Sequence, residues 1–261
     1  MGTSIINPVL DFALEVARGN VSGVACVNGF GHQADLDTAE DPADVWPTAG
    51  LWVPPTTART HDIASSDAND TAAGSGARTV KVEGLDAAWA LQEETVTMNG
   101  TTNVPTASTY VRIFRMRVLT DGTEGQQPQN VGSISATAQT DVTVTAVIAP
   151  GRGQTEMAIY TVPAAKALYL TNFWVSLNRS GVAGSTADFD LLVREDADTA
   201  NTSWAVKGSV GCETDGANST QRNWVPYFKV AAKSDIKIQV LEVSANNSDI
   251  SAGFDGYLVD D

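Results

Sequence analysis

From residue 78 onward the sequence alternates apolar and polar residues with a period of two, and turn-forming clusters interrupt the pattern about every 8–14 residues. This leaves little room for anything but antiparallel β structure, because a helix needs apolar residues at three- and four-residue spacing. Val80 and Val82 alternate with Lys81 and Glu83. Thr95 to Met98 leads into Asn99-Gly100, a tight-turn pair. Strands are predicted over 110–119, 133–138 and 142–148, with breaks at Asp121-Gly122 and Pro150-Gly151. Further strands are predicted over 157–162, 166–177, 189–193, 204–210, 227–230, 236–243 and 254–259. Within 166–177, Ala167, Tyr169, Thr171, Phe173, Val175 and Leu177 alternate with Leu168, Leu170, Asn172, Trp174 and Ser176. Both sets are largely apolar, so both faces of this strand read as covered.

The first 60 residues read differently. Asn7 is a good helix cap and Pro8 suits the first helical position. Val9, Leu10, Ala13, Val16 and Ala17 follow as an apolar stripe, and Gly19 fits the stop, predicting a helix over 7–19. Residues 20–60 look irregular, and Trp46-Pro47 and Trp52-Val53-Pro54-Pro55 resist helix or central strand. This stretch is predicted to be an extended arm or long loop that lies across another surface, with Trp46 and Trp52 as anchors into a neighbouring subunit. Val9, Leu10, Phe12, Val16, Trp46 and Trp52 form the expected assembly interface, while Trp174 and Trp204 are expected in the core. The fold expected is mainly β. An N-terminal helix and extended arm (1–60) precede a small β domain (61–152) and a C-terminal jelly-roll-like β-sandwich (153–261). The β body is expected to fold without residues 1–60.

Composition narrows function by exclusion. The formal net charge is −15, which argues against nucleic-acid and anionic-membrane partners. With 43% apolar and 18% charged residues the chain is not a disordered type. No apolar run approaches the length of a membrane span, and Met1-Gly2-Thr3-Ser4 lacks the basic start of a signal peptide. Cys26 and Cys212 fit no zinc or redox spacing and read as reduced thiols of a cytoplasmically made protein.

No catalytic, cofactor-binding or metal-ligating residue is assigned, and neither an enzymatic activity nor a cofactor is expected. The nucleophile elbow and P-loop are absent, and Gly29-Phe30-Gly31, Gly74-Ser75-Gly76 and Gly151-Arg152-Gly153 lack a dinucleotide fingerprint's third glycine, so each reads as a turn. His32 reads as a loop imidazole. Asp67-Ala68-Asn69-Asp70-Thr71 has oxygen spacing suited to calcium, but Ala72 stands where an EF-hand needs glycine, so these read as solvated turn acids. Glu93-Glu94 and Asp188/Asp190 are carboxylate pairs in form only, and read as wet strand faces. Arg112, Arg115 and Arg117 form the one basic cluster and are expected to pair with acids, the 35–44 acidic run being one partner.

The segment from Ser65 through Val80, with its continuation through Val82-Glu83-Gly84-Leu85-Asp86 and Glu94 to Thr102, resembles virion structural proteins of tailed bacteriophages, particularly marine and aquatic ones. Asp11 to Gly19 with Asn28 to His32, Gln154 to Lys166, and Lys233 to Tyr257 fit the same resemblance in the same order. It implies a particle component made in the bacterial host cytoplasm and carries over no ligand residue. On that basis a capsid decoration or cement subunit is expected, a homotrimer bound to the major capsid protein or other virion proteins. A neck or tail protein, such as a fibre base, adaptor or receptor-binding subunit, is the alternative.

Overall fold

The computed structural model describes residues 11–48, 50–122, 129–179 and 184–261. Among these the chain is mainly β with one short helix and four small antiparallel sheets. In chain order, helix α1 (Phe12–Ala17) is followed by β1 (Val24–Leu36), β2 (Ala43–Asp44), β3 (His61–Ser65), β4 (Ala77–Leu85), β5 (Leu91–Thr97), β6 (Val104–Pro105), β7 (Arg112–Asp121) and β8 (Ile134–Ala138). The remainder are β9 (Thr143–Ile148), β10 (Ile159–Thr161), β11 (Lys166–Asn178), β12 (Thr186–Arg194), β13 (Ala205–Glu213), β14 (Ser219–Val230), β15 (Asp235–Val243) and β16 (Ser248–Asp260).

The sheets share cores in pairs, and the sheet that β1 joins draws its strands from both ends of the chain. One sheet runs β1-β16-β11-β14 and the next β10-β15-β12-β13, with β2 also on β15. Counting β1 and β10 to β16 as eight strands, the orders are 1-8-3-6 and 2-7-4-5. Phe173 and Phe254 from the first sheet meet Phe189, Ile236 and Ile238 from the second, all fully buried. Each such side chain contributes about 1.5–3 kcal/mol through burial. The other two sheets, β6-β3-β8-β9 and β5-β4-β7, enclose a second core around Ile63, Val80, Met116 and Ile134. This second unit is inserted between strands β1 and β10 of the first.

The N-terminal region departs from expectation. Helix α1 has six residues, capped by Asp11, whose carboxylate accepts from Leu14 N at 3.2 Å. Asn7, Pro8, Val9 and Leu10 lie outside the described residues. Asp11 itself has extended backbone (φ −69°, ψ 112°), so α1 starts directly after it. The stop is as expected: Gly19 takes φ +75° and donates to Val16 O, while Asn20 N reaches Glu15 O, a Schellman ending.

Residues 20–60 are not a free arm. β1 pairs with β16 from Val24↔Val259 to Leu36↔Ser248, and β2 pairs with β15. Strand β1 therefore completes the C-terminal unit, and the boundary at 153 does not isolate a domain. Deleting residues 1–60 would therefore strip an edge strand from this sheet rather than spare the β body. Gly29-Phe30-Gly31 lies within β1 and is no turn. A Cβ on Gly31 would sit 2.2 Å from Val45 O and 2.4 Å from Ala158 N, so glycine lets β1 cross close to the second sheet. Period-two reading missed β1 because its outward residues include Cys26, Asn28 and His32 and its inward ones include two glycines.

Candidate functional site

The buried charges act as structural ties. Arg112 on β7 is 2% exposed and grips Asp235 on β15 through Nε (2.8 Å) and Nη2 (2.9 Å). Thr161 Oγ1 donates to the same carboxylate at 2.6 Å, and Arg194 pairs with it from β12. The Arg112 guanidinium lies over Trp89 (4.7 Å) and near Trp52 (5.8 Å). Burial alone would raise the Asp235 pKa, but the hydrogen bonds and charge of Arg112, then Arg194 and Thr161, outweigh it and hold the carboxyl below its usual range. The pair joins the inserted unit to the sandwich. Arg112 of the basic cluster thus pairs with Asp235 and not with the 35–44 run. Within that run, buried Asp44 pairs with Lys237 at 2.8 Å and accepts from Trp52 N at 2.6 Å. Arg115 donates to Gln154 at 2.9 Å.

The other singled-out residues also have local duties. Asp70 is fully buried and takes four donors: Ala77 N (2.7 Å), Val131 N (2.8 Å), Gly132 N (2.9 Å) and Ser65 Oγ (2.5 Å). The Asp-rich turn is therefore knotted by its own backbone, and Asp70 is not a solvated acid. Asp190 is buried too, whereas Glu93 stands outside and pairs with Lys81. Cys26 (exposed) and Cys212 (buried) are both free thiols, and burial raises the Cys212 pKa. His32 lies on β1 rather than in a loop, 3.0 Å from Ser251 Oγ. His61 is fully buried, and desolvation lowers its pKa to about 4.

Trp46 and Trp52 do not project toward a neighbour. Both are 4% exposed in the second core, with indole N–H groups donating to Gly50 O (3.1 Å) and Thr145 O (3.0 Å). Their flanking prolines break strand pairing but do not prevent packing. Val16 is likewise buried against the body. Phe12 is 52% exposed and meets Tyr257 edge-on at 5.4 Å. Leu14 beside it is 53% exposed.

That contact leads to the most distinctive surface, the outer face of the β1-β16-β11-β14 sheet. Register places side chains there in rows that cross all four strands. One row is Cys26–Tyr257–Tyr169–Lys229. The next is Asn28–Asp255–Asn172–Asn223, and the third is Phe30–Gly253–Trp174–Gln221. A polar row, His32–Ser251–Ser176–Ser219, follows. Tyr227 joins Tyr257 at 6.0 Å, and Lys229 Nζ stands 5.9 Å from the Tyr169 ring. Asn28 donates to Asp255 at 2.5 Å, and Gln221 to Asn223 at 2.9 Å. Burial, with Tyr227, Cys26 and Asp11 nearby, pushes the Tyr257 phenol up. A groove of about 230 Å3 opens along the edge of β1, lined by Cys26, Phe114, Met157 and Leu258 among others.

The rows depend on a β-bulge that alternation cannot reveal. The register of β11 shifts between Leu170 and Asn172 on both neighbouring strands. Leu168 and Leu170 point inward before the bulge, and Phe173, Val175 and Leu177 after it. Trp174, expected in the core, therefore lies on the outer face, half-buried. Trp204, the other expected core tryptophan, is half-buried against the second core, with Lys237 Nζ 4.6 Å from its ring.

No family model and no curated protein matches the chain. A solved structure of T=1 particles derived from infectious bursal virus aligns over 90% of this chain and 77% of that one. Its identity is 8% and its TM-score 0.13, values at which the likeness carries no argument.

Proposed function

We propose that this chain is a non-enzymatic structural protein of a tailed-phage particle, a decoration or cement subunit on the outer head surface. The observation carrying this reading is the strand order. Orders 1-8-3-6 and 2-7-4-5 are those of a jelly roll, an architecture common in capsid and lectin domains, here with a second β unit inserted after its first strand. Fold alone does not assign function. Two further features support the reading. The buried charges Asp235, Arg112, Asp44, Lys237 and Asp70 are committed to internal bonds, as suits a rigid building block. Exposed apolar side chains meet at one end of the outer sheet face, where Phe12 of α1 (52% exposed) and Tyr227 (52% exposed) both contact the Tyr257 ring.

In this reading that apolar end replaces the tryptophan arm as the contact with the major capsid protein or with other copies in a homotrimer. Burying it across a subunit boundary stabilises the shell by mass action. Gold-labelled antibody on intact purified particles tests the location, and label over the head is expected. Label confined to the neck or tail makes the chain a fibre-base, adaptor or receptor-binding subunit, a reading the aromatic outer face favours. Unlabelled particles would sink both. Phe12→Asp with Leu14→Asp is expected to keep the fold and abolish rebinding to particles stripped of the protein.

A further inference from the structure

We propose that the outer face of the β1-β16-β11-β14 sheet is a platform for a neutral, pyranose-based polysaccharide. A pyranose ring presents apolar C–H faces and a belt of hydroxyls. Its recognition needs aromatic surfaces for the faces and planar polar side chains for the belt. The rows supply both: Trp174 offers the aromatic surface, and Asn28, Asp255 and Asn223 in the neighbouring row with Gln221 beside the indole offer the polar groups.

The geometry favours stacking. Gly253 stands directly across from Trp174. A Cβ there would lie 2.7 Å from indole Cε2 and Cζ2, so the ring lies down over the glycine and turns its other face outward. Trp174 is no part of either core, which frees it for this use. In the central row Asn172 is occupied locally, donating to Thr171 Oγ1 at 3.3 Å with its Oδ1 buried, so the exposed amides beside the indole lie on β14. Asn223 and Gln221 are exposed, offering amide donors and acceptors beside the indole.

The shape and charge define the ligand further. An open sheet face suits a polymer laid across it better than a small molecule, which needs enclosure. The chain's net charge of −15 repels uronic or sulfated polymers. On the face itself Asp255 is held by Asn28, and Lys229 is paired with Asp261 at 3.4 Å. Neither is left to select a charged sugar. The inference does not depend on where in a particle the chain resides.

Calorimetric titration of the full chain tests this, with soluble oligosaccharides of glucose, galactose, mannose or N-acetylglucosamine and with polygalacturonate as the acidic comparison. At least one neutral series is expected to bind, and polygalacturonate is not. Trp174→Ala is expected to weaken that binding by about tenfold or more. Asn223→Ala, at an exposed position away from both cores, is expected to weaken it while leaving the melting curve unchanged, which guards against a folding defect in the tryptophan variant. The proposal is overturned by no neutral binder at millimolar concentration, by binding that survives both variants, or by preference for polygalacturonate. Self-association abolished by Trp174→Ala, without sugar binding, would also overturn it and make the face a contact between copies.

Discussion

Replacing Asp235 by alanine should be among the most damaging single changes in this protein. The carboxylate is fully buried and takes two hydrogen bonds from Arg112, one from Thr161 and the pairing of Arg194. Asp235→Ala leaves the Arg112 guanidinium, 2% exposed, without its counter-charge. Removing one partner of a buried pair costs about 3–5 kcal/mol, because the remaining charge stays desolvated. Against a typical total of about 5–15 kcal/mol this is a large fraction. Urea unfolding followed by intrinsic tryptophan fluorescence reads it directly, since Trp52 and Trp89 flank Arg112. A double-mutant cycle with Arg112→Met isolates the pair. The double variant is expected to recover much of the loss, since the buried Arg112 charge goes with its partner and only the part-exposed Arg194 loses the carboxylate. A loss below about 1 kcal/mol, the range of a solvent-exposed pair, would falsify the account of a desolvated tie between the two units. The same carboxylate sets a pH dependence. Its folded pKa lies below the unfolded value of 3.8, so its contribution is present above that value and is lost as pH falls through the folded pKa.

Acid should act earlier through His61. Its pKa falls from 6.5 unfolded to about 4 folded, so between those values the unfolded chain binds the proton first and stability declines as pH falls, by about 3 kcal/mol in all. Urea midpoints measured from pH 7 to pH 4 should show this slope, and His61→Leu should flatten it even if the variant is weaker throughout. Asp70→Ala strips a buried acceptor from three backbone N–H groups and the Ser65 hydroxyl, and should cost about 3 kcal/mol or more. An unchanged melting temperature would show that the loop is satisfied some other way.

Many strands from β4 onward were legible in the sequence, in whole or in part, because several bury one face, as β4 and β8 do, and the side-chain period of a strand is fixed. Turn residues such as Gly19 and Gly151 were legible for a similar reason, since both take positive φ. Other features required the tertiary structure. Strand β1 shows no clear alternation, because glycine at 29 and 31 serves close packing rather than apolar burial. Trp46 and Trp52 looked like anchors beside their prolines, yet the cavity they fill is assembled from the inserted unit. Asp235 is one acid among 31 in the sequence, and only folding brings Arg112, 123 residues away, onto it.

The sequence by itself determined that this is a β protein with acidic charge and where most of its strands run. Those properties are local: they follow from alternation, turn chemistry and composition. The tertiary structure decided which strands are neighbours, which side of the β11 bulge Trp174 occupies, and therefore that tyrosines, amides and an indole meet in rows on one open face. Those properties depend on register between strands far apart in the chain, and a one-residue shift at a bulge reverses every side chain beyond it.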